Sequence, residues 1–359
     1  MDESEAQVSS GMTNAAEETK NTSQTLRVVR QLDESAWREF VQSSPRANIF
    51  HTPEMFQVFA RARGCRPTLW ATVGSEGRVL ALFLPVQMTV LKGLFRQLTT
   101  RAVVFGGALS APGQEGQQAL AFLLQNYNRA VKRSVLFTEL RNVFDLSDLQ
   151  PVLNDSGFAS EGHLNFLIDV SRPEAELWQQ INSGARRNIQ KAAKSGVVVE
   201  ELRDPKEIPA AHAVLRNVYK RIQVPLPDLS LFQAAFEILR PAGMVRILMA
   251  RQNGTTLGVL FLLIHKGVAT YWYTGCLREH SALRPADLLV WSALQSCKRL
   301  SCHTYDFGGA GRLDEEYGVR DFKAKYGGQL VNFGRNVCTH APWRFKLSRT
   351  GFQLVRRFL

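Results

Sequence analysis

The chain has no Cys-x-x-Cys pair. Its five cysteines, Cys65, Cys276, Cys297, Cys302 and Cys338, are an odd set among 359 residues, which argues against a disulfide framework and against a structural zinc site. Cys302 adjoins His303, but no further ligand follows at zinc spacing, so buried free thiols and no metal are expected. Long apolar runs are missing as well. The most apolar stretch, Leu257 to Ile264, ends at His265-Lys266-Gly267 and is too short to span a bilayer. The N-terminal residues hold no apolar core of the signal-peptide kind. A cytoplasmic protein with reduced thiols is the expectation. No Ser-His-Asp or Cys-His grouping stands out, so catalysis through an activated side-chain nucleophile is not indicated.

Acids are absent from the last 25 residues, which carry Arg335, Arg344, Lys346, Arg349, Arg356 and Arg357. Drawn as a helix over 341–359, Trp343, Leu347, Leu354 and Phe358 share one face and most of the cations the other. Such a segment suits an anionic inner membrane surface, or docks on the protein's own core. At the opposite end, residues 1–24 hold five acids against Lys20, a net of −4; the total of +12 therefore leaves +16 on the rest. A polar acidic tail over 1–25 reads as disordered. The basic body favours an anionic partner: tRNA, a membrane surface or a phosphorylated substrate. With 45% hydrophobic and 21% charged residues, the chain has the composition and length of two globular domains.

Hydrophobic periodicity divides the body into α/β units over 26–165 and 166–340. Asp33 caps a helix through Trp37 and Phe40. Thr52 precedes Pro53 as N-cap of another running to about Arg63. A hairpin is predicted from Thr68–Val73 and Arg78–Val90 around Gly74–Gly77, then a helix over 114–132 and strands near 136–140 and 165–170. The second half repeats the plan: helices over 172–178 and 185–194, a strand over 197–202, helices over 208–221 and 228–239, a hairpin around Asn253-Gly254, a strand over 269–273 and a helix from Pro285 to about Leu300. The two hairpins can be overlaid, which supports duplication of one unit with a mixed, mostly antiparallel sheet flanked by helices.

The most chemical stretch is Thr304 to Gly334. A strand, Tyr305-Asp306-Phe307, breaks at Gly308-Gly309. An acidic loop leads to Tyr317-Gly318, and Phe322-Lys323-Ala324-Lys325-Tyr326 stops at Gly327-Gly328. A carboxylate at a strand end beside flexible backbone donors and two lysines is a ligand site of the α/β kind. The plain alternative is a turn with Phe322 and Tyr326 in the core. Upstream, Arg187, Lys191 and Lys194 fall at i, i+4 and i+7 on one helix face, with Ile189 and Ala193 on another. Four cations without an acid between Ala185 and Gly196 repel one another unless an anion offsets them. Tyr271 and Tyr273 alternate with Trp272, which predicts the two tyrosines on one strand face, and Tyr273 is the cleft candidate.

The order Tyr-Asp-Phe-Gly-Gly, loop, Tyr-Gly, Phe-Lys and aromatic-Gly-Gly resembles the C-terminal signature of the Fem family, the aminoacyltransferases that build peptidoglycan cross-bridges. The resemblance covers roughly Asn48 to Phe333. It implies two tandem GNAT-like domains, with aminoacyl-tRNA as co-substrate and a lipid-linked or nucleotide-linked peptidoglycan precursor as acceptor. It further implies that Lys323 of the Phe322-Lys323 pair takes part in transfer and that the basic helix with Arg187 and Lys191 meets the anionic acceptor. Tyr219 and Arg221, where relatives carry Thr-x-x-Arg, would lie near the muramyl-peptide. The short Ile-Gln-Val-Pro-Leu-Pro segment after Arg221 leaves no room for the helical arm of longer relatives.

The GNAT resemblance also implies acetyl-CoA, yet the place of its diphosphate loop reads Gly275-Cys-Leu-Arg-Glu-His-Ser-Ala-Leu-Arg-Pro285, and Gly106-Gly107-Ala108 before Pro112 is no better. Acetyl-CoA is disfavoured. On this reading Asp306 orients or deprotonates an amine, while Lys323 and the N–H groups of Gly308 and Gly309 stabilise charge at the attacked carbonyl or on a phosphate. The alternatives are an N-acyltransferase using acyl-CoA or acyl-carrier protein on an envelope polysaccharide or lipid, and a non-catalytic membrane-surface protein.

Overall fold

The structure, a computed structural model, describes residues 25–89 and 99–345. The acidic tail and all but the first residues of the expected C-terminal helix lie outside them. Where that helix begins, Trp343 is 66% exposed, while Arg344 is buried and donates to the carbonyls of Lys132 and Arg133, both at 2.9 Å.

The first half contains β1 (Arg27–Val29), α1 (Glu34–Ser43), α2 (Pro53–Arg61), β2 (Cys65–Pro67), β3 (Trp70–Val73), β4 (Val79–Phe83), β5 (Val86–Thr89), β6 (Thr100–Phe105), β7 (Leu109–Ser110), α3 (Gly113–Val131), β8 (Phe137–Arg141), α4 (Gln150–Asp155) and β9 (Ala159–Glu161). The helix starts follow their caps: Asp33 accepts from the amides of Ser35 and Ala36, and Thr52 from that of Met55. The single strand expected over 78–90 is two, β4 and β5, because Pro85 cannot donate to a ladder. They enter different sheets, β4 between β3 and β7 and β5 between β2 and β6.

The second half contains β10 (Leu164–Asp169), α5 (Glu174–Gln180), α6 (Ser183–Lys194), β11 (Val198–Glu201), α7 (Ile208–Arg221), α8 (Leu229–Leu239), β12 (Val245–Gln252), β13 (Thr255–His265), β14 (Val268–Cys276), α9 (Pro285–Arg299), β15 (Thr304–Gly309), α10 (Gly318–Ala324), β16 (Gln329–Asn332) and β17 (Arg335–Thr339). Seven strands form its sheet, in the order β11-β12-β13-β14-β15-β10-β16. The expected boundary at 340 is corrected here. β17 returns to the first half and pairs antiparallel with β8 and β9, so the chain's end completes the other unit's sheet.

The two halves repeat one ladder pattern. β6 and β8 are parallel neighbours joined through α3, and β14 and β15 are parallel neighbours joined through α9; every other pairing among the described residues is antiparallel. A core of Leu260, Leu262, Val290 and Ala293 seats α9 on one face of the seven-stranded sheet. On the other face, Val214, Leu215, Phe232 and Phe236 of α7 and α8 pack with Met55, Val58 and Phe59 of α2, so apolar burial joins the halves. Across the same junction Lys266 donates to the carbonyls of Gln42 at 2.8 Å and Ser44 at 3.0 Å, satisfying the C-terminal end of α1.

One glycine fixes how the C-terminal stretch meets this sheet. Gly328 has φ +95°, and a Cβ there would lie 2.7 Å from the backbone oxygen of Leu167. Gly328→Ala is expected to destabilise the protein by more than about 1–2 kcal/mol, measured as a lower denaturation midpoint at unchanged m-value; an unchanged midpoint would refute the contact.

Candidate active site

β14 and β15 run together for three residue pairs, Val268–Thr304, Ala269–Tyr305 and Thr270–Asp306, and then part. The parting happens because β15 turns toward β10 through a bulge: Leu167 faces Asp306, whereas Asn165 faces Gly309. Gly308, with φ +70°, makes that turn. Asp306 is therefore the last residue before the fork and only 3% exposed. Its Oδ1 accepts from the Gly308 amide at 2.8 Å and from Asn165 Nδ2 at 3.4 Å. Burial raises its pKa above the usual carboxylate range, against the lowering pull of that amide and of Lys323.

Asp306, Gly308 and Gly309 open on a cleft of about 570 Å³ between the two halves. Its other walls include Tyr219 of α7, Thr270, Trp272 and Tyr273 of β14, and Arg101, Arg141, Asn142, His163 and Arg335 from the first half and the strands next to it. Burial pushes the Tyr219 phenol up to about 12 and the Tyr273 phenol higher still, so both are donors at neutral pH. No hydrogen bond ties either hydroxyl to the described residues. His163 is held neutral by burial and by Arg335, with a pKa near 4. Its Nε2 lies 2.9 Å from Arg335 Nη2.

The fold thus brings Asp306, Gly308, Gly309, Tyr219 and Tyr273 to one cleft. Lys323 stands one layer behind its wall. It is 4% exposed, donates to the carbonyls of Phe307 and, at 2.8 Å, Gly309, and sits over the rings of Tyr271 and Phe307. Burial lowers its pKa to about 8, with Asp306 pulling it back up. The expected use of the Gly308 amide on substrate is corrected, since that N–H is engaged by Asp306. Phe322 does not line the cleft; its ring packs edge-on against Tyr326 at 5.4 Å. Arg187 and Lys191 lie on the exposed face of α6, and Arg221 is exposed at the end of α7, all outside the cleft lining.

Tyr271 and Tyr273 do not share a face, contrary to strict alternation. Phe261 pairs with Tyr273 and Leu262 with Tyr271, which leaves Trp272 as the extra residue of a bulge. Tyr271 packs with the α9 core, while Trp272 and Tyr273 face the cleft side. Arg101, Arg141 and His163 carried no motif in the sequence. The signal for Arg101 and Arg141 was period-two alternation on β6 and β8, legible only once those strands are known to be neighbours; His163, just before β10, had none.

A GNAT-type fold implies acyl-CoA, whose diphosphate would need free amides at the start of α9. Here Arg284 is left-handed at φ 57°, its amide is bonded to Ser281 O at 3.1 Å, and Pro285 has no N–H. Buried Asp287 fills the first turn, its carboxylate accepting from Tyr326 at 2.9 Å and Asn188 at 3.3 Å. A fixed anion at that helix end repels a diphosphate. At the corresponding start of α3, Glu115 takes the first turn, paired with Arg78 at 2.6 Å. These residues do not fit the group. Among the described residues no cluster of His, Cys, Asp or Glu is placed to hold a metal, and no helix is long and apolar enough to cross a membrane.

Residues 181–323 match the acetyltransferase (GNAT) domain family. No curated protein matches the chain in sequence. Similar solved structures include FemX, at 15% identity and a TM-score of 0.66 over 92% of this chain and 99% of that one. Others are the C-terminal domain of a putative lysylphosphatidylglycerol synthetase from Agrobacterium fabrum, at 13% identity and 0.53 over 89% and 96%, and a tandem GNAT protein from the clavulanic acid biosynthesis pathway, at 12% and 0.55 over 89% and 99%. The chain is an α/β protein of two tandem GNAT-like units, the second matching the acetyltransferase domain and the whole similar in fold to FemX.

Proposed function

We propose that the chain is an acyltransferase of the aminoacyl kind, moving an amino acid from aminoacyl-tRNA to the peptide amine of a lipid-linked or nucleotide-linked peptidoglycan precursor. The observation that carries this is the buried carboxylate of Asp306 at the β14–β15 fork, opening into a cleft between the halves, while the helix end that would cradle a CoA diphosphate holds Asp287 instead. An aminoacyl ester is already activated, so the protein has to align an amine with it, accept a proton and steady the charge at the carbonyl. The amine nitrogen forms a bond to the ester carbon and gives a proton to Asp306. The carbon–oxygen bond to the ribose then breaks, and the ribose oxygen takes the proton back. The Tyr219 and Tyr273 hydroxyls, without a hydrogen-bond partner among the described residues, are the candidate donors to the carbonyl oxygen. The fold shared with FemX and with a putative lysylphosphatidylglycerol synthetase supports the aminoacyl donor. Attachment at the inner face of the membrane would suit a lipid-linked acceptor.

The match to an acetyltransferase domain favours a second reading, an N-acyltransferase acting on an envelope polysaccharide or lipid. Purified protein is incubated with lipid-linked or nucleotide-linked muramyl-peptide and either labelled aminoacyl-tRNA or labelled acetyl-CoA. Label passing to the precursor from tRNA alone is expected; transfer from acetyl-CoA alone would replace the first reading with the second.

A further inference from the structure

The cationic wall of the cleft has a use that amine deprotonation does not require. On β6, Arg101, Val103 and Phe105 fall at alternate positions, as do Glu139 and Arg141 on β8, and Arg335 opens β17. The ladders align them: Val103 faces Glu139, Phe105 faces Arg141, and Arg141 faces Arg335. Arg335 in turn faces Glu161 of β9, so alternation puts three guanidinium groups and two carboxylates on a single sheet face. The opposite face, with Ala102, Val104 and Leu140, packs against α3.

Glu139 Oε1 takes Arg141 Nε and Arg335 Nη1, both at 2.9 Å. Although burial pushes its pKa up, the arginines outweigh this and hold it below the usual carboxylate range. Arg101 makes no hydrogen bond or ion pair with the described residues, and Arg335 Nε is buried without a partner. Glu161 also acts on Arg335 but is shared with Arg312, so the three guanidinium groups still outnumber the carboxylates around unused N–H donors. Bringing Arg101 beside Arg141 in a half-buried place costs energy unless a ligand offsets it.

We propose that Arg101, Arg141 and Arg335 form a subsite for a phosphate group of the substrate, a monoester or a diphosphate. An anion offsets the surplus positive charge, and guanidinium forks suit the several oxygens of a phosphate better than the two of a carboxylate. This deepens the reading above: the first half grips the phosphate end of the acceptor while the second presents its amine to Asp306. Four probes are titrated against the full chain by calorimetry: inorganic pyrophosphate, a nucleoside diphosphate, sodium acetate, and vesicles of phosphatidylcholine with and without phosphatidic acid. Pyrophosphate is expected to bind, acetate not. Arg101→Gln is expected to weaken pyrophosphate roughly tenfold or more, the scale of one hydrogen bond to a charged group, with Arg101→Lys intermediate.

The exposed Arg203, changed to Gln, is expected to leave the affinity as it was. Tighter binding of the nucleoside diphosphate points to a soluble acceptor, and vesicle binding that needs phosphatidic acid and Arg101 points to a lipid-borne one. Circular dichroism confirms that each variant is folded. The proposal is overturned if folded wild type binds no pyrophosphate, or if folded Arg101→Gln and Arg101→Lys both bind it as wild type does. Because these readouts need no transfer, the subsite can fail while aminoacyl transfer stands, and can hold if transfer fails.

Discussion

Asp306→Asn is expected to lower the rate of transfer by about 10²–10⁴-fold, the range of a lost general base, while leaving the fold in place. The side chain keeps its shape, and an amide oxygen can still accept from Gly308 and Asn165, which both bond Oδ1 in the native protein. Only proton uptake is removed. Two further measurements follow from the raised pKa of Asp306. First, kcat/KM of the native enzyme should rise with pH on an acid limb lying above the ordinary Asp value of 3.8, and the variant should lack that limb. Second, a carboxyl with a raised folded-state pKa contributes stability that is fully present below 3.8 and is lost as pH climbs through the folded value. At neutral pH the native carboxylate is thus a cost, one that asparagine escapes, so the variant's Tm should equal or exceed that of the native protein at pH 7. Activity within about threefold of native would remove Asp306 from the mechanism.

Much of this fold is legible in the sequence, because its helices announce themselves locally. Asp33, Thr52 and Asp228 each accept from amides of the helix they precede. The strand run over 305–307 and its Gly308-Gly309 break lie in the structure where the sequence has them. What escapes is non-local. Nothing near Arg335 says that β17 crosses back to pair with β8, since that depends on a neighbour some 200 residues away. The same contact adds Arg335 to Arg101 and Arg141 of the β6–β8 pair, so the site's cationic half stays invisible until the sheet order is known. Strict alternation failed on β14 because a bulge at Trp272 is a tertiary accommodation without a glycine to mark it. The cation row on α6 is legible as a row, but only the fold shows that it is an exposed face outside the cleft lining. For Lys323 the resemblance pointed to the right neighbourhood, but a one-dimensional motif does not say which side of a backbone an ammonium lies on.

That difference decides what Lys323 should do when changed. The ammonium spans Phe307 O and Gly309 O on either side of Gly308, and pins the turn that sets the Asp306 carboxylate. Lys323→Met leaves the carbonyls of Phe307 and Gly309 without this donor and withdraws the cation that lowers the Asp306 pKa. Two hydrogen bonds to a charged group, about 1.5–3 kcal/mol each, match or outweigh the burial cost implied by a fall in pKa from 10.5 to about 8, roughly 3 kcal/mol. A net loss of up to about 3 kcal/mol is therefore expected on those same figures, so the variant should be no more stable than the native protein. Transfer should fall about 10²-fold or more as the base loses its alignment, and the acid limb of kcat/KM should move to higher pH.

Lys323→Gln separates holding the turn from supplying charge. Its amide can donate to the same carbonyls without the cation, so it should recover part of the stability and of kcat while keeping the shifted acid limb. The native lysine's lowered pKa adds a sign that can be checked. Its contribution to stability is present above 10.5 and lost as pH falls through about 8, so the advantage of native protein over Lys323→Met should widen between those pH values. If glutamine instead proves as inactive as methionine, with native stability and an unshifted limb, the ammonium acts on the substrate itself and the turn would have to open to let it through.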